Sequence, residues 1–327
     1  MAVSARDYGD NLGRVFTLTS GDMSIEIVEF GARLRSCIMP DAEGWLADIV
    51  PGMDSPADYA SRGGSMGAIC GRYGNRIAFG RFELDGVPYQ LSINSPPHSL
   101  HGGFNHFGRH YWTGEALPDD NAVRLAFVSP DGDEGWPGTL RSEVTYQLQD
   151  RRLLIAMSAT TDRATYVNLI FHGYWNLAGH DSGRIDGHEL QMSAASYTPK
   201  NDVSVPTGEI ATVDGTPFDF RAARPIGDFA YDVNLCLDAV KGPAMRLRDP
   251  VSGRALSIAT DQPGVQLFTA DNWAGLAGKD GAVYQAHSGV ALETQSFPNT
   301  PNIPAFGPQP LRPGSRYTHR MVIDFES

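Results

Sequence analysis

The sequence predicts an all-β protein made of two large packed antiparallel sheets, and three observations support this fold class. Apolar and polar residues alternate with a period of two in many segments, as in strands with one buried face. Turn signals separate several of these segments. Apolar repeats at helical spacing are rare, and the 36 glycines and 22 prolines among 327 residues favour many turns. Helix content should therefore be low.

Individual elements follow from the same signals. Asp85-Gly86 lies between two alternating apolar pairs, and such a dipeptide is the strongest short hairpin signal, so residues 82–91 should form a hairpin. Turn-forming residues interrupt apolar alternation at two further places, and the C-terminus alternates without interruption. These patterns predict a helical turn at 56–60, hairpins over 144–157 and 247–258, and a terminal strand over 317–325.

Charge and composition exclude several classes of protein. The formal net charge is -12, so the average surface repels phosphate backbones and anionic lipid. Neither nucleic acid nor a membrane is an expected partner. The first ten residues carry charges where a signal peptide needs an apolar stretch, and no run approaches the ~18 apolar residues of a membrane span. We expect a soluble cytoplasmic protein.

The cysteines indicate neither disulfides nor zinc. Cys37, Cys70 and Cys236 are far apart, odd in number and free of C-x-x-C spacing. Buried free thiols are the simplest interpretation.

One domain is predicted for residues 1–327. No charged or Ser/Gly-rich linker divides the chain, and no long internal repeat is visible. The concave face of a large sheet would be a natural place for a ligand.

The segment Gly71–Phe82 interleaves three arginines with small and apolar residues. On a strand, Arg72 and Arg76 would share one face. The alternative is a solvated edge along which these arginines and Arg81 lie.

A glycine-hinged loop, Ser99–Trp112, carries three histidines and follows a fourth. Their spacing matches no common zinc pattern, so no metal site is expected. The alternative interpretation is a polar surface loop. The four residues are His98, His101, His106 and His110.

Two further side chains stand next to apolar strands. His172 lies among aromatic residues, where a histidine is usually structural. Glu293 ends a run that resembles a buried strand, and burial would raise its pKa and make it a better base. An ion pair with an arginine is the alternative for Glu293. Asp232 and Gln266 give weaker signals, since such residues usually lie in loops or at sheet edges.

The segment 63–67 matches the G-x-S-x-G pattern of hydrolase nucleophile elbows. That motif requires a strand, a sharp turn and a following helix. No helical pattern follows Gly67, so a serine hydrolase is not predicted.

Together, these segments resemble the aldose 1-epimerase (galactose mutarotase) family, in order and over nearly the whole chain. The run GRYGNRIAFGRFELDGVPYQLSIN, followed by HSLHGG, is similar to the family signature. NLIFHGYWNLAG resembles its N-x-x-x-H-x-Y-F-N-L-A-G segment, and ALETQSFPNTPN resembles its L-E-x-Q-x-x-P-x-x-P-N segment. The resemblance implies a β-supersandwich, mutarotation of free aldoses and no cofactor.

The resemblance also implies roles for individual residues. The family's catalytic base falls on Glu293, its catalytic acid on His172, and its second active-site histidine on His101. The remaining sugar-binding positions fall on Asn75, Arg76, Asp232 and Gln266.

Three residues depart from the family pattern. Gly173 and Trp175 replace the usual serine and phenylalanine beside His172, and Asn299 replaces an acidic residue near the last motif. These changes leave the acid and base intact but put the preferred sugar in doubt.

Other functions remain open from sequence. A glycoside hydrolase or polysaccharide lyase would need a second carboxylate or a tyrosine base across the scissile bond, and only Glu293 stands out. A hexose-phosphate mutarotase would need a phosphate clamp, which Arg72 or Arg81 could supply. A noncatalytic sugar-binding protein would not require both His172 and Glu293. The sequence does not distinguish glucose, galactose or a pentose as the monosaccharide, nor a monomer from a homodimer.

Overall fold

The computed structural model describes residues 1–9, 12–307 and 309–327, and its strands pair in antiparallel fashion. Most strands belong to three sheets of nine, six and five strands. The all-β prediction is confirmed. Within the described ranges, no helix is long and apolar enough to cross a membrane.

The C-terminal strand Tyr317–Glu326 lies at the centre of the nine-stranded sheet, between Arg152–Thr161 and Ala255–Thr260. Buried and exposed residues alternate along it, so one face packs inward and the other meets solvent. In spatial order the nine strands are Thr113–Leu117, Ala122–Ser129, Leu140–Gln149, Arg152–Thr161, Tyr317–Glu326, Ala255–Thr260, Met245–Arg248, Glu189–Met192 and Arg224–Pro225.

Two smaller sheets pack against the nine-stranded sheet. The five-stranded sheet is a meander, and the six-stranded sheet draws its strands from the second half of the chain. The five strands are Ala2–Asp7, Arg14–Ser20, Met23–Val28, Arg33–Pro40 and Leu46–Asp48; the six are Tyr174–Trp175, Val290–Gln295, Gly264–Phe268, Asp232–Cys236, Ser196–Thr198 and Ala211–Thr212.

Short elements complete the described chain. One helical turn, Pro56–Asp58, begins after Ser55, whose side chain accepts a hydrogen bond from the Asp58 amide at 3.2 Å. A wider turn, Tyr59–Gly63, follows it directly. The two-stranded ladders are Ile69–Cys70 with Ile170–Phe171, Arg76–Ile77 with Ser99–Leu100, Arg81–Leu84 with Val87–Gln90, and Leu276–Ala277 with Val283–Tyr284. The 3₁₀ turns are Ala78–Gly80, Phe107–Arg109, Pro118–Asp120, Asp133–Gly135, Lys279–Gly281, Thr300–Asn302 and Pro304–Phe306.

The main core lies between the nine-stranded sheet and the two smaller sheets. Its buried cluster takes apolar side chains from all three. Polar contacts join the same layers: Tyr146 Oη donates to the Ala32 carbonyl at 2.7 Å, and the His319 ring lies 2.8 Å from Thr294 Oγ1. The two predicted layers are therefore present, with one of them divided between two sheets.

The predicted turns are confirmed. Asp85 and Gly86 have φ of 53° and 77°, the left-handed pair that matches the twist of a two-residue hairpin. The hairpins over 144–157 and 247–258 and the terminal strand form in the predicted places. The helical turn also forms, and all three cysteines are buried and free.

The expectation that Arg72 and Arg76 share a strand face is wrong. The chain between them is not a strand, and the Arg72 side chain is buried. Its guanidinium donates to the carbonyls of Pro137 and Gly138, both at 2.8 Å, and to Ser129 Oγ at 2.6 Å. Burial lowers the pKa of Arg72 to about 10. Arg72 thus ties together two chain segments instead of facing a ligand.

Arg81 lies at a solvated edge, as the alternative interpretation predicts. Its side chain is exposed and donates to Gln90 Oε1 at 2.7 Å. The two arginines differ because Arg72 meets a cluster of carbonyls that lie more than 50 residues away in sequence, a feature that local pattern does not encode.

Replacing Arg72 by lysine should lower the free energy of unfolding by about 3 kcal/mol, because one ammonium cannot reach the oxygens that the planar guanidinium bridges. Denaturant unfolding followed by tryptophan fluorescence measures the change. Arg81→Lys is the matched control and should stay within about 0.5 kcal/mol. Equal effects of the two substitutions would contradict the structural role of Arg72.

Candidate active site

A cavity of about 340 Å³ opens over one face of the six-stranded sheet. This volume is at the lower end of the range for small-molecule sites. All seven residues singled out from the sequence line it: Asn75, Arg76, His101, His172, Asp232, Gln266 and Glu293.

Strand alternation decides which side chains face the cavity. On Val290–Gln295, Leu292 packs in the main core, so Glu293 points to the opposite face. Gln266 is the cross-strand partner of Glu293, and Asn234 is the partner of Gln266 on its other side. A polar row therefore crosses three adjacent strands.

Glu293 is 2% exposed, and its Oε2 has no hydrogen-bond partner in the described part of the chain. Burial, together with the charge of Asp232, raises the pKa of Glu293 well above its ordinary value of 4.5. The alternative of an arginine ion pair is not realised among the described residues; the His172 ring lies beside the carboxylate instead. The carboxylate is thus a strong base with a free oxygen.

His172 sits in the short connection between Ile170–Phe171 and Tyr174–Trp175. Its amide donates to the Ala68 carbonyl at 2.8 Å, and its carbonyl accepts from the Gly67 amide at 2.9 Å. The ring Nε2 lies 3.4 Å from Glu293 Oε1, while Nδ1 is buried and has no hydrogen-bond partner among the residues that the structure describes. Burial lowers the pKa of His172 to about 4. The imidazolium form is therefore a strong acid.

His101 and Asn75 hold each other through reciprocal hydrogen bonds. The His101 amide donates to the Asn75 carbonyl at 3.0 Å, and the Asn75 amide donates to His101 Nδ1 at 3.1 Å. Both residues have left-handed backbones, with φ of 54° and 63°. Since Nδ1 accepts a hydrogen bond, the proton of the neutral ring is on Nε2. His101 thus offers a donor to the cavity.

Asp232, Gln266 and Asn75 form a hydrogen-bonded chain along the cavity. Gln266 Nε2 donates to Asp232 Oδ1 at 2.6 Å, and Asn75 Nδ2 donates to Gln266 Oε1 at 3.1 Å. These contacts fix which way the two amide groups face. Arg76 Nη1 stands 3.9 Å from Asp232 Oδ2, beyond ordinary hydrogen-bond distance.

The segment 63–67 forms a wall of the cavity instead of a nucleophile elbow. The helical turn Tyr59–Gly63 ends at Gly63, and the strand Ile69–Cys70, not a helix, comes next after Gly67. Buried Arg33 holds this wall by donating to the carbonyls of Gly64 and Met66. The structure therefore agrees with the prediction against a serine hydrolase.

Several cavity residues escaped the sequence analysis. Tyr174 and Trp273 pack with ring centroids 4.6 Å apart, and Phe268 lies near Tyr174. Arg62 and Asn272 are polar parts of the same lining. No sequence pattern points to them beyond the alternation that places Phe268 on the face of Gln266.

The other loop histidines do not line the cavity. His98 and His106 are buried, so the polar surface loop expected as the alternative is wrong for these two. His106 Nδ1 accepts from the Gly108 amide at 3.2 Å and serves the turn that follows. Only His110 of the three faces solvent in part, with Nε2 2.8 Å from the Asn105 carbonyl.

None of the three departures from the family pattern is among the described residues that line the cavity. Gly173 leaves room for the Phe171 ring, which a Cβ would meet at 2.3 Å. Trp175 is buried in the main core. Asn299 accepts from the Ala78 amide at 3.0 Å and so supports the Arg76 segment from behind.

His101, His172 and Glu293 bring three possible metal ligands within 4.8 Å of one another. Histidine ligands of metals usually donate their second ring N–H to an acceptor. His101 does the reverse, because its Nδ1 accepts from a backbone amide and leaves Nε2 protonated. The donor set therefore suits proton transfer and hydrogen bonding better than metal coordination.

Comparisons with known proteins match nearly the whole chain. The family model described as aldose 1-epimerase matches residues 14–324. Galactose mutarotase from Mus musculus is 42% identical over 320 residues, which cover 95% of this chain and 93% of the mouse protein. Aldose 1-epimerase from Escherichia coli K12 is 33% identical over 332 residues and 95% of each chain. The solved structure of an aldose epimerase homologue from C. elegans has a TM-score of 0.88 at 30% identity and covers 99% of each chain.

His101 should remain a neutral Nε2–H tautomer at pH values near its ordinary pKa of 6.5. Although the ring keeps some exposure to the cavity, burial lowers its pKa well below 6.5, and the nearby His172, His106 and Arg76 lower it further. Nitrogen-15 chemical shifts of labelled histidines measure the tautomer, and His101→Gln assigns the signal. An imidazolium signal for His101 at pH 6 would contradict this geometry.

Proposed function

The chain belongs to the aldose 1-epimerase family, and we propose that Glu293 and His172 are the base and acid of its reaction. The protein is an isomerase that interconverts the α and β anomers of a free aldose. One observation carries the proposal: a buried carboxylate and a buried imidazole lie 3.4 Å apart at the cavity, and each keeps an atom without a hydrogen-bond partner among the described residues. Buried polar atoms without a partner call for an explanation, and proton exchange with a substrate is the one we propose.

The reaction needs two proton transfers in each direction. Glu293 removes the proton from the C1 hydroxyl, and the C1–ring oxygen bond breaks as the C1 carbonyl forms. The electron pair of the broken bond stays on the ring oxygen, which takes a proton from His172. The open aldehyde then rotates about C1–C2, and the reverse steps close the ring on the other face. Each positioned group typically contributes about 10²–10⁴-fold.

The pair needs one proton in total. When the Glu293 carboxylate is ionised and the His172 imidazole is protonated, the pair can accept one proton and donate another. Transfer of the proton from His172 to Glu293 leaves both groups uncharged, and this is the neutral form of the pair. The raised pKa of Glu293 and the lowered pKa of His172 favour the neutral form in the empty cavity. The pH dependence of the intact enzyme therefore belongs to the pair and not to either residue.

The other cavity residues suit recognition of a neutral polyol. His101 Nε2–H and the Arg76 guanidinium can donate to sugar oxygens and to charge developing on the ring oxygen. Asp232 can accept from hydroxyl groups. Asn75 and Gln266 form one hydrogen-bonded network with Asp232, so their amide groups are already oriented before the sugar binds.

We include galactose among the substrates, with support from the 42% identical mouse relative that is named for it. The Gly173, Trp175 and Asn299 departures lie outside the cavity lining and do not oppose this choice. The alternative of a hexose-phosphate mutarotase loses its support, because neither Arg72 nor Arg81 lines the cavity.

The loss of folding stability that the buried acid and base pair causes argues against a noncatalytic sugar-binding protein. An unpartnered polar atom that is buried costs about 1–3 kcal/mol of stability, and the pair contains two such atoms. A binder could dispense with them.

The remaining parts of the proposal concern the whole chain. The site residues come from segments spread between Asn75 and Glu293, which supports one cooperative domain over 1–327. The denaturant unfolding experiment on the Arg72 variant tests this proposal, because one domain should unfold in a single transition. Two separate transitions would contradict it. The three buried free thiols support a cytoplasmic location. Monosaccharide is the proposed partner, with a monomer or homodimer as the assembly.

Glu293→Gln and His172→Asn should each lower kcat by about 10²–10⁴, because each removes a proton-transfer group with little change in shape. Polarimetry on freshly dissolved α-galactose and α-glucose measures kcat after subtraction of the spontaneous rate. The far-ultraviolet spectra should match the parent. Near-normal kcat in the glutamine variant would assign the base to another residue.

The pH profile of the His172→Asn variant isolates Glu293, since its partner no longer titrates. Residual kcat/KM should fall as the pH drops through the pKa of Glu293, because only the carboxylate accepts a proton. Burial raises that pKa, so the midpoint should lie above 4.5. The same fall in kcat/KM at low pH should be absent from Glu293→Gln. A midpoint at or below 4.5 in His172→Asn would contradict the argument that burial raises the pKa of Glu293.

A further inference from the structure

Lys200 reaches the edge of the active site from a neighbouring loop. Its Nζ donates to Asp232 Oδ2 at 3.0 Å and to the Asp232 main-chain carbonyl at 2.7 Å. The residue lines a small recess that shares Asn75, Arg76, Asp232 and Gln266 with the main cavity. The chain has only three lysines, so this placement stands out.

The loop that carries Lys200 has a defined shape. Asn201 Oδ1 accepts from the amides of Val203 and Val205 at 3.2 and 3.1 Å. His98 ties the loop to the active-site segment: its Nδ1 accepts from the Phe79 amide at 3.0 Å, so its Nε2–H donates to the Val203 carbonyl at 2.8 Å. These bonds hold the ammonium group beside Asp232.

The contact leaves Arg76 free for the sugar. Gln266 donates to one oxygen of Asp232 and Lys200 to the other. Arg76 approaches the carboxylate only to 3.9 Å, and its guanidinium makes no hydrogen bond within the described residues. Without Lys200, Arg76 would be the nearest cation and would be drawn toward Asp232.

The same contact sets the charge of Asp232. Burial opposes ionisation, but Lys200 and Arg76 together outweigh it and hold the pKa of Asp232 below its ordinary value. The resulting anion adds to the raised pKa of Glu293 and partly offsets the lowering of the His172 pKa by burial. Lys200 thus influences the recognition side of the site directly and the acid and base pair through Asp232.

We propose that Lys200 is a positioning residue that orients the ionised Asp232 carboxylate and balances its charge. It thereby keeps Arg76 available to the sugar and determines how tightly the aldose binds. This inference rests on the proposed function. It assigns Lys200 no proton transfer, because Asp232 is the only residue to which its amine donates a hydrogen bond in the described part of the chain.

The test compares Lys200→Met with Lys200→Arg in the mutarotation assay with galactose. The methionine variant should raise KM by about three- to tenfold and leave kcat within about twofold, because a hydrogen-bonded, partly exposed pair is lost. The arginine variant keeps the charge and should recover most of the affinity. Lys241→Met is the matched control, since Lys241 is exposed and lies outside the cavity lining.

Two further measurements separate positioning from a merely structural role. As the pH falls, KM should rise when Asp232 takes up a proton, and this rise should begin at a higher pH in Lys200→Met because the stabilising ammonium is gone. In an Asp232→Asn background, Lys200→Met should cause no further increase in KM, since the effect passes through the carboxylate.

An unchanged KM in Lys200→Met would overturn the inference, as would an equal KM increase in the Asp232→Asn background. Loss of kcat together with stability would assign Lys200 a structural role and overturn it as well. Glu293→Gln in the same assay distinguishes failure of the Lys200 inference from failure of the proposed function. If Glu293→Gln loses kcat while Lys200→Met behaves like the parent, only the Lys200 inference fails.

Discussion

The burial of both faces of the strand Val290–Gln295 is the constraint on which the site depends. Leu292 and Thr294 face the nine-stranded sheet, where Thr294 contacts His319, so Glu293 must face the other way. The opposite face is also covered, by the segment that carries His172 and by the wall that Arg33 holds. The carboxylate is therefore desolvated by the fold itself, and its raised pKa is a consequence of sheet packing.

Distant segments meet over this strand through backbone hydrogen bonds. The His172 amide and carbonyl are bonded to the 67–68 segment, and Asn75 and His101 are bonded to each other. Main-chain bonds set the backbone positions, and the bond from the Asn75 amide to His101 Nδ1 also orients the His101 ring. The left-handed conformations of Asn75 and His101 add strain at the site, which the reciprocal bonds offset.

Local patterns were sufficient for three hairpins, the terminal strand and the helical turn, because alternation and turn chemistry act between near neighbours in sequence. The resemblance to a family located seven of the residues that line the cavity, although composition alone left Asp232 and Gln266 as weak signals. Arg72 was misjudged because its carbonyl partners lie far along the chain, and Lys200 gave no signal because a single loop lysine is usually solvated. Both roles arise from tertiary contacts that spacing does not encode.

The hydrogen bonds of the site divide its residues into two groups with different energetics. Asn75, Gln266 and Asp232 are already bonded to protein, so little reorganisation is needed when hydroxyl groups of a sugar join the network. Glu293 and His172 instead keep unpartnered buried atoms, and their shifted pKa values show that the fold disfavours their charged forms. In the proposed reaction, Glu293 and His172 are the groups that exchange protons with the sugar, and the other three residues are the groups that bind it. The free-energy cost of burying unpartnered atoms therefore falls on the proposed acid and base, while the proposed binding residues have hydrogen-bond partners within the protein.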